Sequence, residues 1–387
     1  MKAPLRRSEK RIEAALAAFA RSRKISDPLI IDGEHGEGGG QILRTALSLS
    51  TVTLRAFRLV NIRAKRRNPG LQPQHLSAMR AAAAISGAQL VGDFLGSSEL
   101  VFAPAHPPQS GSYLFDVAEI AGHGSAGSTI LILQTVLVPL ALAQGNSTVV
   151  VLGGTHQDWA PAYDDLAKAY LPALRRMGLS ADAELKRWGW YPAGGGEVVC
   201  KIKGGSDQEW PRASWPRPIE ALERGPIVRI TGRAVAANLP AHIPQRMSDR
   251  ARAALGDLGV PVQIEPLRVR AACPGAGIFL LAEYETLAVS FSALGRQGKP
   301  SEAVANEAVA ALREHHASKA TVELHLADQL LLPLAIATGP SAFTLARPTA
   351  HLATNAWTIE QFGLAKITVE QGLLTRVQVL PSPANAS

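Results

Sequence analysis

The sequence predicts an α/β (α+β) protein in which one β-α-β-α-β-β unit occurs three times, with a small α+β domain inserted into the third copy. Three observations lead to this fold. Short apolar strands and helical patterns follow one another in the same order along the chain. Each first helix carries a glutamine followed by apolar residues, at Gln41, Gln134 and Gln329. Each second helix ends at a glycine, at Gly87, Gly178 and Gly363.

The first unit begins with a short apolar strand that ends at Gly33. In the segments that follow, the spacing of apolar residues is in turn that of a strand and that of a helix. The predicted strands are 29–33, 56–62, 88–92 and 99–103, and the predicted helices are 41–54 and 74–86.

The second and third units repeat this order. Helix 161–177 of the second unit opens with a proline and closes before Gly178, which is a favourable start and stop. The remaining elements of the second unit are strands 113–117, 148–152, 183–188 and 197–202 and helix 128–143. The third unit comprises strands 219–222, 342–346, 366–370 and 375–380 and helices 326–337 and 350–362.

A separate segment interrupts the third unit between its first strand and its first helix. Its helices are predicted at 244–258 and at 301–317, with Ser301 as the N-cap, and its strands at 226–236, 260–271 and 277–292. The Pro-rich stretch 209–218 is typical of a linker. The predicted organisation is therefore a basic extension (1–27), a large three-repeat domain (28–224 and 319–387) and an inserted domain (225–318).

Composition narrows the class of protein. The chain has 387 residues, 47% hydrophobic and 19% charged, which is typical of a globular protein. The net charge is +8, of which +5 lies in residues 1–27, and it favours polyanionic partners such as RNA or nucleotides. We interpret the extension as a solvated helix, with an RNA-binding arm as the alternative. No apolar run is long enough to span a bilayer. Two cysteines exclude a disulfide scaffold and indicate the reducing cytoplasm.

Glycine-rich turns precede several predicted helices. Segment 33–41 follows a strand and opens a helix, a placement that suits anion binding, but it lacks the Lys-Ser/Thr of a P-loop. Its Glu37 suits a divalent metal or a general base, and a solvated acid in a tight turn explains it equally well. Similar turns at 122–128 and 153–156 suggest one shared anionic cleft, with repeated tight packing as the alternative.

Basic and imidazole groups offer candidates for phosphate chemistry. The run 63–67 follows a strand and precedes Gln74 and His75, so its arginines are candidates for binding phosphate, although a solvated loop would have the same composition. His351 lies near Thr354 and Asn355. A neutral imidazole can attack phosphorus when its other nitrogen is fixed, but spacing alone does not assign His351 this role.

Several of these segments, taken in order from about residue 29 to 380, resemble the RNA 3′-terminal phosphate cyclase family. The matching segments are 32–33, 36–44, 62–63, 69–70, 74–76, 124–128, 133–135, 153–155, 191–196, 326–330, 351–352 and 354–355. The resemblance implies three repeated units with a small inserted domain. It also implies an ATP-dependent ligase that converts an RNA 3′-phosphate into a 2′,3′-cyclic phosphodiester and releases AMP and pyrophosphate.

The resemblance assigns roles to individual residues. It implies that His351 is the nucleophile that takes AMP, and that Glu37 lies beside a divalent metal (Mg or Mn). The implied RNA-end residues are Arg44, Arg63, Arg66, Gln74 and His75. The implied ATP residues are Gln134, Pro161, His325, Leu326, Ala327, Asp328 and Gln329.

Two departures and three alternatives accompany this assignment. Relatives place aromatic rings at His325 and near Asp165, so adenine stacking here would depend on Pro161 and an imidazole.

One alternative function is that of a non-catalytic cyclase-like protein that binds RNA and acts in ribosome assembly, but that branch lacks the nucleophilic histidine. The others are an enolpyruvyl-type transferase and a plain RNA-binding module. We expect ATP and an RNA 3′ end as partners and no membrane, and the oligomeric state stays open.

Overall fold

A computed structural model describes residues 28–121, 126–205 and 216–382. The basic extension 1–27, most of the turn at 122–128 and most of the linker at 209–218 lie outside the described residues. Within the described ranges the chain forms a mixed α/β structure with four four-stranded sheets, which confirms the predicted class. No helix in those ranges is long and apolar enough to cross a membrane.

Most predicted strands are present, with small shifts at their ends. The described strands are β1 (Leu29–Asp32), β2 (Phe57–Val60), β3 (Gln89–Val91), β4 (Leu100–Ala103), β5 (Ser112–Asp116), β6 (Ser147–Gly153), β7 (Ser180–Arg187), β8 (Gly196–Lys203), β9 (Glu220–Ala221), β10 (Ile227–Ala237), β11 (Val262–Val269), β12 (Gly275–Tyr284), β13 (Ala288–Leu294), β14 (Ser341–Leu345), β15 (Ala365–Glu370) and β16 (Thr375–Pro381).

The helices lie between these strands in the predicted order. The described helices are α1 (Gly40–Thr53), α2 (Pro73–Ser86), α3 (Ala118–Ala121), α4 (Thr129–Leu142), α5 (Tyr163–Asp165), α6 (Leu171–Arg176), α7 (His242–Leu255), α8 (Ser301–Ser318), α9 (Leu324–Ala335) and α10 (Ala350–Gln361). A π-helical segment, Leu166–Tyr170, joins α5 to α6, and a 3₁₀ turn, Gly256–Leu258, follows α7.

One strand order recurs in three of the sheets. The orders are β1-β2-β4-β3, β5-β6-β8-β7 and β9-β14-β16-β15. In each sheet the first two strands are parallel and the other neighbours are antiparallel. The fourth sheet, β11-β10-β12-β13, lies within 227–294 and carries α7 and α8.

The core forms where helices from different parts of the chain meet. Helix α1 packs against both α4 and α10, and almost every described side chain of α4 is buried. Burial all around a helix explains why 129–142 is apolar on every face instead of only one. Removing this much apolar surface from water favours folding and holds the amino ends of α1 and α10 close together.

Three predicted details are wrong. Ser301 is the first residue of α8, and the extended Pro300 occupies the N-cap, so Ser301 does not cap the helix. The predicted helix 161–177 begins at Tyr163, because Ala162 is still extended and donates its N–H to Asp165 over 2.8 Å. The predicted strand 277–292 is instead two antiparallel strands, β12 and β13.

A buried polar cluster joins the loop after β6 to strand β10. His156 is fully buried, and its Nε2 lies 3.1 Å from an Asp164 oxygen while its Nδ1 lies 2.7 Å from the Thr155 hydroxyl. The other Asp164 oxygen accepts hydrogen bonds from Arg233 of β10 over 2.9 and 2.5 Å. Because both partners of this ion pair are largely buried, the contact fixes the position of the loop against the fourth sheet.

Candidate active site

The amino-terminal turns of α1, α9 and α10 meet at His351. This residue is the second of α10, and Gln41 is the second of α1. The His351 Nδ1 lies 2.7 Å from the Gln41 Oε1 and 2.6 Å from the Glu37 Oε2. The His351 side chain stays 51% exposed. One ring nitrogen is therefore held by polar neighbours while the ring remains open to solvent.

The glycine-rich turn before α1 positions Glu37. Gly36 and Gly38 have φ values of +56° and +58°, a left-handed conformation that favours glycine. A Cβ at Gly36 would lie 2.4 Å from the Thr354 hydroxyl, so no larger residue fits there. The same hydroxyl accepts the Glu37 N–H over 3.2 Å. Close approach of the turn to α10 thus places the Glu37 carboxylate beside His351.

Glu37 fits the carboxylate ligand of a nucleotide-bound divalent cation. Its Oε1 accepts a 2.7 Å hydrogen bond from Arg66, and its Oε2 faces His351. The described residues contain no group of three His, Cys, Asp or Glu side chains able to hold a metal. Magnesium is commonly held by one or two carboxylates together with substrate phosphates and water, so a single carboxylate is compatible with that mode.

His75 is a buried, neutral hydrogen-bond donor near Gly40. Its Nδ1 accepts the Gln72 N–H over 3.0 Å, so the ring proton must be on Nε2. A Cβ on Gly40 would meet that Nε2 at 2.4 Å and an Arg44 nitrogen at 2.9 Å, so both groups face the backbone of Gly40. Burial, with the nearby charges of Arg44 and Arg63, lowers the pKa of His75 to about 3.

Arg63 carries a buried guanidinium nitrogen with no partner among the described residues. Its backbone has a φ of +55°, which is unusual for a residue other than glycine. Its Nη1 is buried and lacks a hydrogen bond, and burial lowers the pKa of Arg63. A buried unpaired donor on a cation is costly unless an anion binds it. Gln74, the second residue of α2, is half-buried next to His75.

The predicted ATP residues lie mainly on α9 and α4. Gln134 of α4 donates to Gln329 over 2.7 Å. The His325 Nδ1 lies 2.8 Å from the Glu323 carboxylate, which raises the pKa of His325 to about 9, although the ring is 82% exposed. An exposed, positively charged imidazole is therefore available at this edge of the site.

Three other predicted ATP residues differ in how far their side chains are exposed. Pro161 is half-buried just before α5. Leu326 and Ala327 are 4% and 0% exposed, so their side chains belong to the core. The Leu326 N–H is also engaged by the Glu323 carboxylate over 3.1 Å.

Asp328 is partly buried and lies on the opposite side of Gln41 from His351. Its Oδ2 accepts the Gln41 Nε2–H over 2.9 Å. Burial raises the pKa of Asp328 to about 7, and the hydrogen bond from Gln41 opposes this shift. Burial lowers the pKa of Arg44 to about 10, and the neighbouring Asp328 opposes it. Arg44 therefore remains a cation at neutral pH.

The electrostatic neighbours of His351 show which predicted residues come together. Burial lowers the pKa of His351, the Glu37 carboxylate opposes this, and the charges of His325, Arg44 and Arg66 lower it further. Residues from three distant parts of the sequence are thus close enough to influence one imidazole. An accessible imidazole among several cations is suited to attack on phosphorus, because the cations stabilise negative charge that develops on phosphoryl oxygens.

Sequence reasoning missed Gln41, Thr354 and Asn355 as site residues. Asn355 donates to the Asp328 carbonyl over 2.5 Å and accepts from the Thr45 hydroxyl over 2.6 Å, so it ties α10 to both α9 and α1. One signal for Gln41 was present. The glutamines that recur in the three first helices all make side-chain hydrogen bonds at this junction: Gln41, Gln134 and Gln329.

Comparison with known proteins shows the family to which the chain belongs. The model of a family described as RNA 3′-terminal phosphate cyclase matches residues 35–369. A protein named RNA 3′-terminal phosphate cyclase from Methylococcus capsulatus is 51% identical over 88% of this chain and 92% of its own length. Proteins of the same name are 49% identical in Gloeothece citriformis, over 88% and 95% of the two chains, and 42% identical in Salmonella typhimurium, over 90% and 98%. The chain belongs to the RNA 3′-terminal phosphate cyclase family.

Proposed function

We propose that this protein is an ATP-dependent ligase that converts an RNA 3′-terminal phosphate into a 2′,3′-cyclic phosphodiester. The observation that carries this proposal is the geometry of His351, whose Nδ1 is bonded and whose exposed ring has an Nε2 without a partner among the described residues. The curated relatives carry the name of this activity. A polyanion-binding scaffold would need no such imidazole.

In the proposed mechanism, the reaction passes through a covalent histidine–AMP intermediate. The Nε2 of His351 attacks the α-phosphorus of ATP, the bond to the bridging oxygen breaks, and pyrophosphate leaves. An oxygen of the RNA 3′-phosphate then attacks the same phosphorus and breaks the P–N bond. Finally the ribose 2′-OH attacks the activated 3′-phosphorus and expels AMP. The two adenylyl transfers thus give the RNA 3′-phosphate a good leaving group, AMP, which the last step expels.

Charged groups of the site support the phosphoryl steps. The RNA 3′-phosphate is bound by Arg44, Arg63, Arg66, Gln74 and the Nε2–H of His75. The buried Nη1 of Arg63 supports this assignment, because it is unpaired among the described residues and needs an anionic partner. Guanidinium groups also stabilise charge on the transferring phosphoryl group. Glu37 holds the divalent cation, Mg or Mn, which neutralises phosphate charge when bound.

Residues of α4 and α9, with Pro161 before α5, form the ATP side of the proposed site. Gln134 and Gln329 are bonded to each other and present amide groups to the nucleotide. His325 and Pro161 flank the adenine ring, and the exposed imidazole stacks on it. Leu326 and Ala327 shape this wall through their backbone, since their side chains are buried. Asp328 is the remaining residue of the predicted ATP site.

We further propose that the three sheets of equal strand order and their helices are three copies of one unit in a large domain, 28–224 and 319–387. The shared strand order and the shared glutamines support this interpretation. Residues 225–318 form the inserted domain around the fourth sheet. Cys200 and Cys273 are both free thiols, which supports a reducing cytoplasmic location.

The test is to incubate the protein with ATP, Mg²⁺ and an oligonucleotide that ends in a 3′-phosphate. We expect a 2′,3′-cyclic end, AMP and pyrophosphate in equal amounts. The matched control is the same oligonucleotide with a 3′-hydroxyl, which should be left unchanged. Failure to convert the 3′-phosphate, with the protein folded and ATP bound, would contradict the proposal.

A further inference from the structure

Gln41 is the direct partner of His351, and it is itself held by a second partner. Its Oε1 lies 2.7 Å from the His351 Nδ1, and its Nε2 donates to the Asp328 Oδ2 over 2.9 Å. These two contacts use opposite ends of one amide group. The three side chains come from α10, α1 and α9, so the chain of hydrogen bonds crosses the junction of three helices.

The carboxylate fixes which way the Gln41 amide points. An ionised Asp328 carboxylate only accepts hydrogen bonds, so in that form the NH₂ end of the amide faces Asp328 and the carbonyl end faces His351. A carbonyl oxygen can only accept. The proton of a neutral His351 ring must therefore be on Nδ1, and the lone pair must be on Nε2.

The backbone around Asp328 is held equally firmly. Asn355, four residues after His351, donates to the Asp328 carbonyl over 2.5 Å and accepts from Thr45 over 2.6 Å. The first bond ties α9 to α10, and the second ties α10 to α1. The carboxylate therefore has a fixed place from which to orient Gln41.

We infer that Gln41 and Asp328 are positioning residues that hold His351 in the tautomer whose Nε2 can attack phosphorus. This inference rests on the proposed function for the identity of the reaction, but the tautomer follows from the hydrogen bonds alone. It gives Asp328 a role other than direct contact with ATP. Glu37 also approaches Nδ1 at 2.6 Å, yet it is the residue proposed to hold the cation, whereas Gln41 has no such second task.

A kinetic experiment tests the positioning role. Gln41→Met keeps the length of the side chain and removes both hydrogen bonds. We expect single-turnover formation of the histidine–AMP adduct to slow about 10- to 100-fold, by analogy with the loss when the partner that orients a metal-bound histidine is removed. The affinity for a non-cleavable α,β-methylene ATP should change by no more than about twofold, because orientation affects the chemical step and not binding.

The chain offers a matched control for this substitution. Gln245 on α7 also donates to an aspartate, Asp249, over 3.0 Å, but at the exposed surface of the fourth-sheet region. Gln245→Met should leave both the rate and the affinity unchanged. A Gln41→Met protein that forms the adduct at the wild-type rate would overturn the inference.

A second measurement reads the tautomer without any activity. ¹⁵N-histidine NMR, with His351 assigned by its absence in His351→Ala, distinguishes a protonated Nδ1 from a protonated Nε2. In Glu37→Ala, where Gln41 is the remaining acceptor, we expect the Nδ1–H form. Adding Gln41→Met should shift the ring to Nε2–H, and adding Asp328→Ala instead should give a mixture, because the amide is then free to turn.

The two measurements separate the inference from the proposed function. A wild-type protein that forms no adduct but shows the expected tautomers would contradict the function and support the positioning role. An unchanged tautomer in Glu37→Ala/Gln41→Met would overturn the positioning role even if the protein is an active cyclase. A merely structural role for Gln41 would lower the melting temperature and leave the tautomer as it is.

Discussion

Two histidines of this protein lie shortly after a strand, His156 after β6 and His351 after β14, yet their surroundings differ completely. His156 is fully buried, stacked at centroid distances of 4.5 Å on Trp188 and 5.1 Å on Trp190, and both of its ring nitrogens have partners. His351 has one bonded nitrogen and a 51% exposed side chain. The difference shows that a partner on one nitrogen orients an imidazole, whereas partners on both nitrogens make it part of the core.

The largest expected contrast comes from replacing each histidine by alanine. His351→Ala should lose all adduct formation with ATP and keep its melting temperature, because the ring is half exposed. His156→Ala should form the adduct while folded but lose about 3 kcal/mol of unfolding free energy, because it removes a buried ring and leaves the Asp164 Oδ2 without its hydrogen-bond partner. Labelling with α-³²P-ATP and denaturant unfolding measure the two effects. Adduct formation by His351→Ala, or an unchanged free energy of unfolding in His156→Ala, would contradict these expected roles.

A smaller effect separates the two steps of the reaction. Arg63→Met removes the guanidinium whose buried, unpaired Nη1 is proposed to bind the RNA phosphate, so RNA cyclisation should fall about 100-fold while adduct formation changes little. Arg67 is exposed in the same loop, and Arg67→Met is the matched control. Quenched-flow experiments measure the rates of adduct formation and of RNA cyclisation in each variant. Equal losses in the two steps would place Arg63 at the nucleotide.

A third prediction concerns a buried histidine outside the site. Burial lowers the pKa of His315 to about 4 from an ordinary 6.5, so the unfolded chain binds a proton in this range and the native chain does not. Stability should therefore be full above pH 6.5 and fall as the pH drops toward 4, by up to about 3 kcal/mol from this residue.

His315→Leu should flatten this fall, whereas His242→Leu, at an exposed position, should not. Urea unfolding at a series of pH values gives the slopes. Identical slopes for wild type and His315→Leu would show that the pKa of His315 is the same in the native and unfolded states.

The smallest expected effect tests the buried cluster itself. Arg233→Met leaves Asp164 buried with only His156 as partner, and should cost about 2 kcal/mol of unfolding free energy. Arg229 on the same strand pairs with Glu283 at the exposed surface, so Arg229→Met should cost less than about 1 kcal/mol. Equal costs for the two variants, measured by thermal unfolding, would mean that the cluster is no stronger than a surface pair.

Much of the fold could be predicted from the sequence because its signals are local. Strand periods, helix periods and the terminal glycines lie within short windows, and Gly87 and Gly363 indeed have positive φ values that end their helices. The π-helical segment Leu166–Tyr170 and the short helix Ala118–Ala121 carry no such signal. Their hydrogen bonding depends on packing that no short window contains.

The candidate site was only partly predictable for the same reason. His351, Glu37 and Arg66 stand in conspicuous motifs, and the structure brings them together. The bonds from Gln41 to His351 and from Gln41 to Asp328 span 310 and 287 residues. Only the packing of α1, α9 and α10 reveals them. The role of a polar residue near a motif depends on its contacts with residues that are far away in the sequence.

The most direct test of this account is to locate the covalent bond to AMP. Incubation with ATP and Mg²⁺, digestion and tandem mass spectrometry should place one AMP on His351, in a bond that is labile in acid and stable in base. An adduct on His325, on a lysine or on any other side chain would contradict the central claim that the open nitrogen of His351 is the nucleophile.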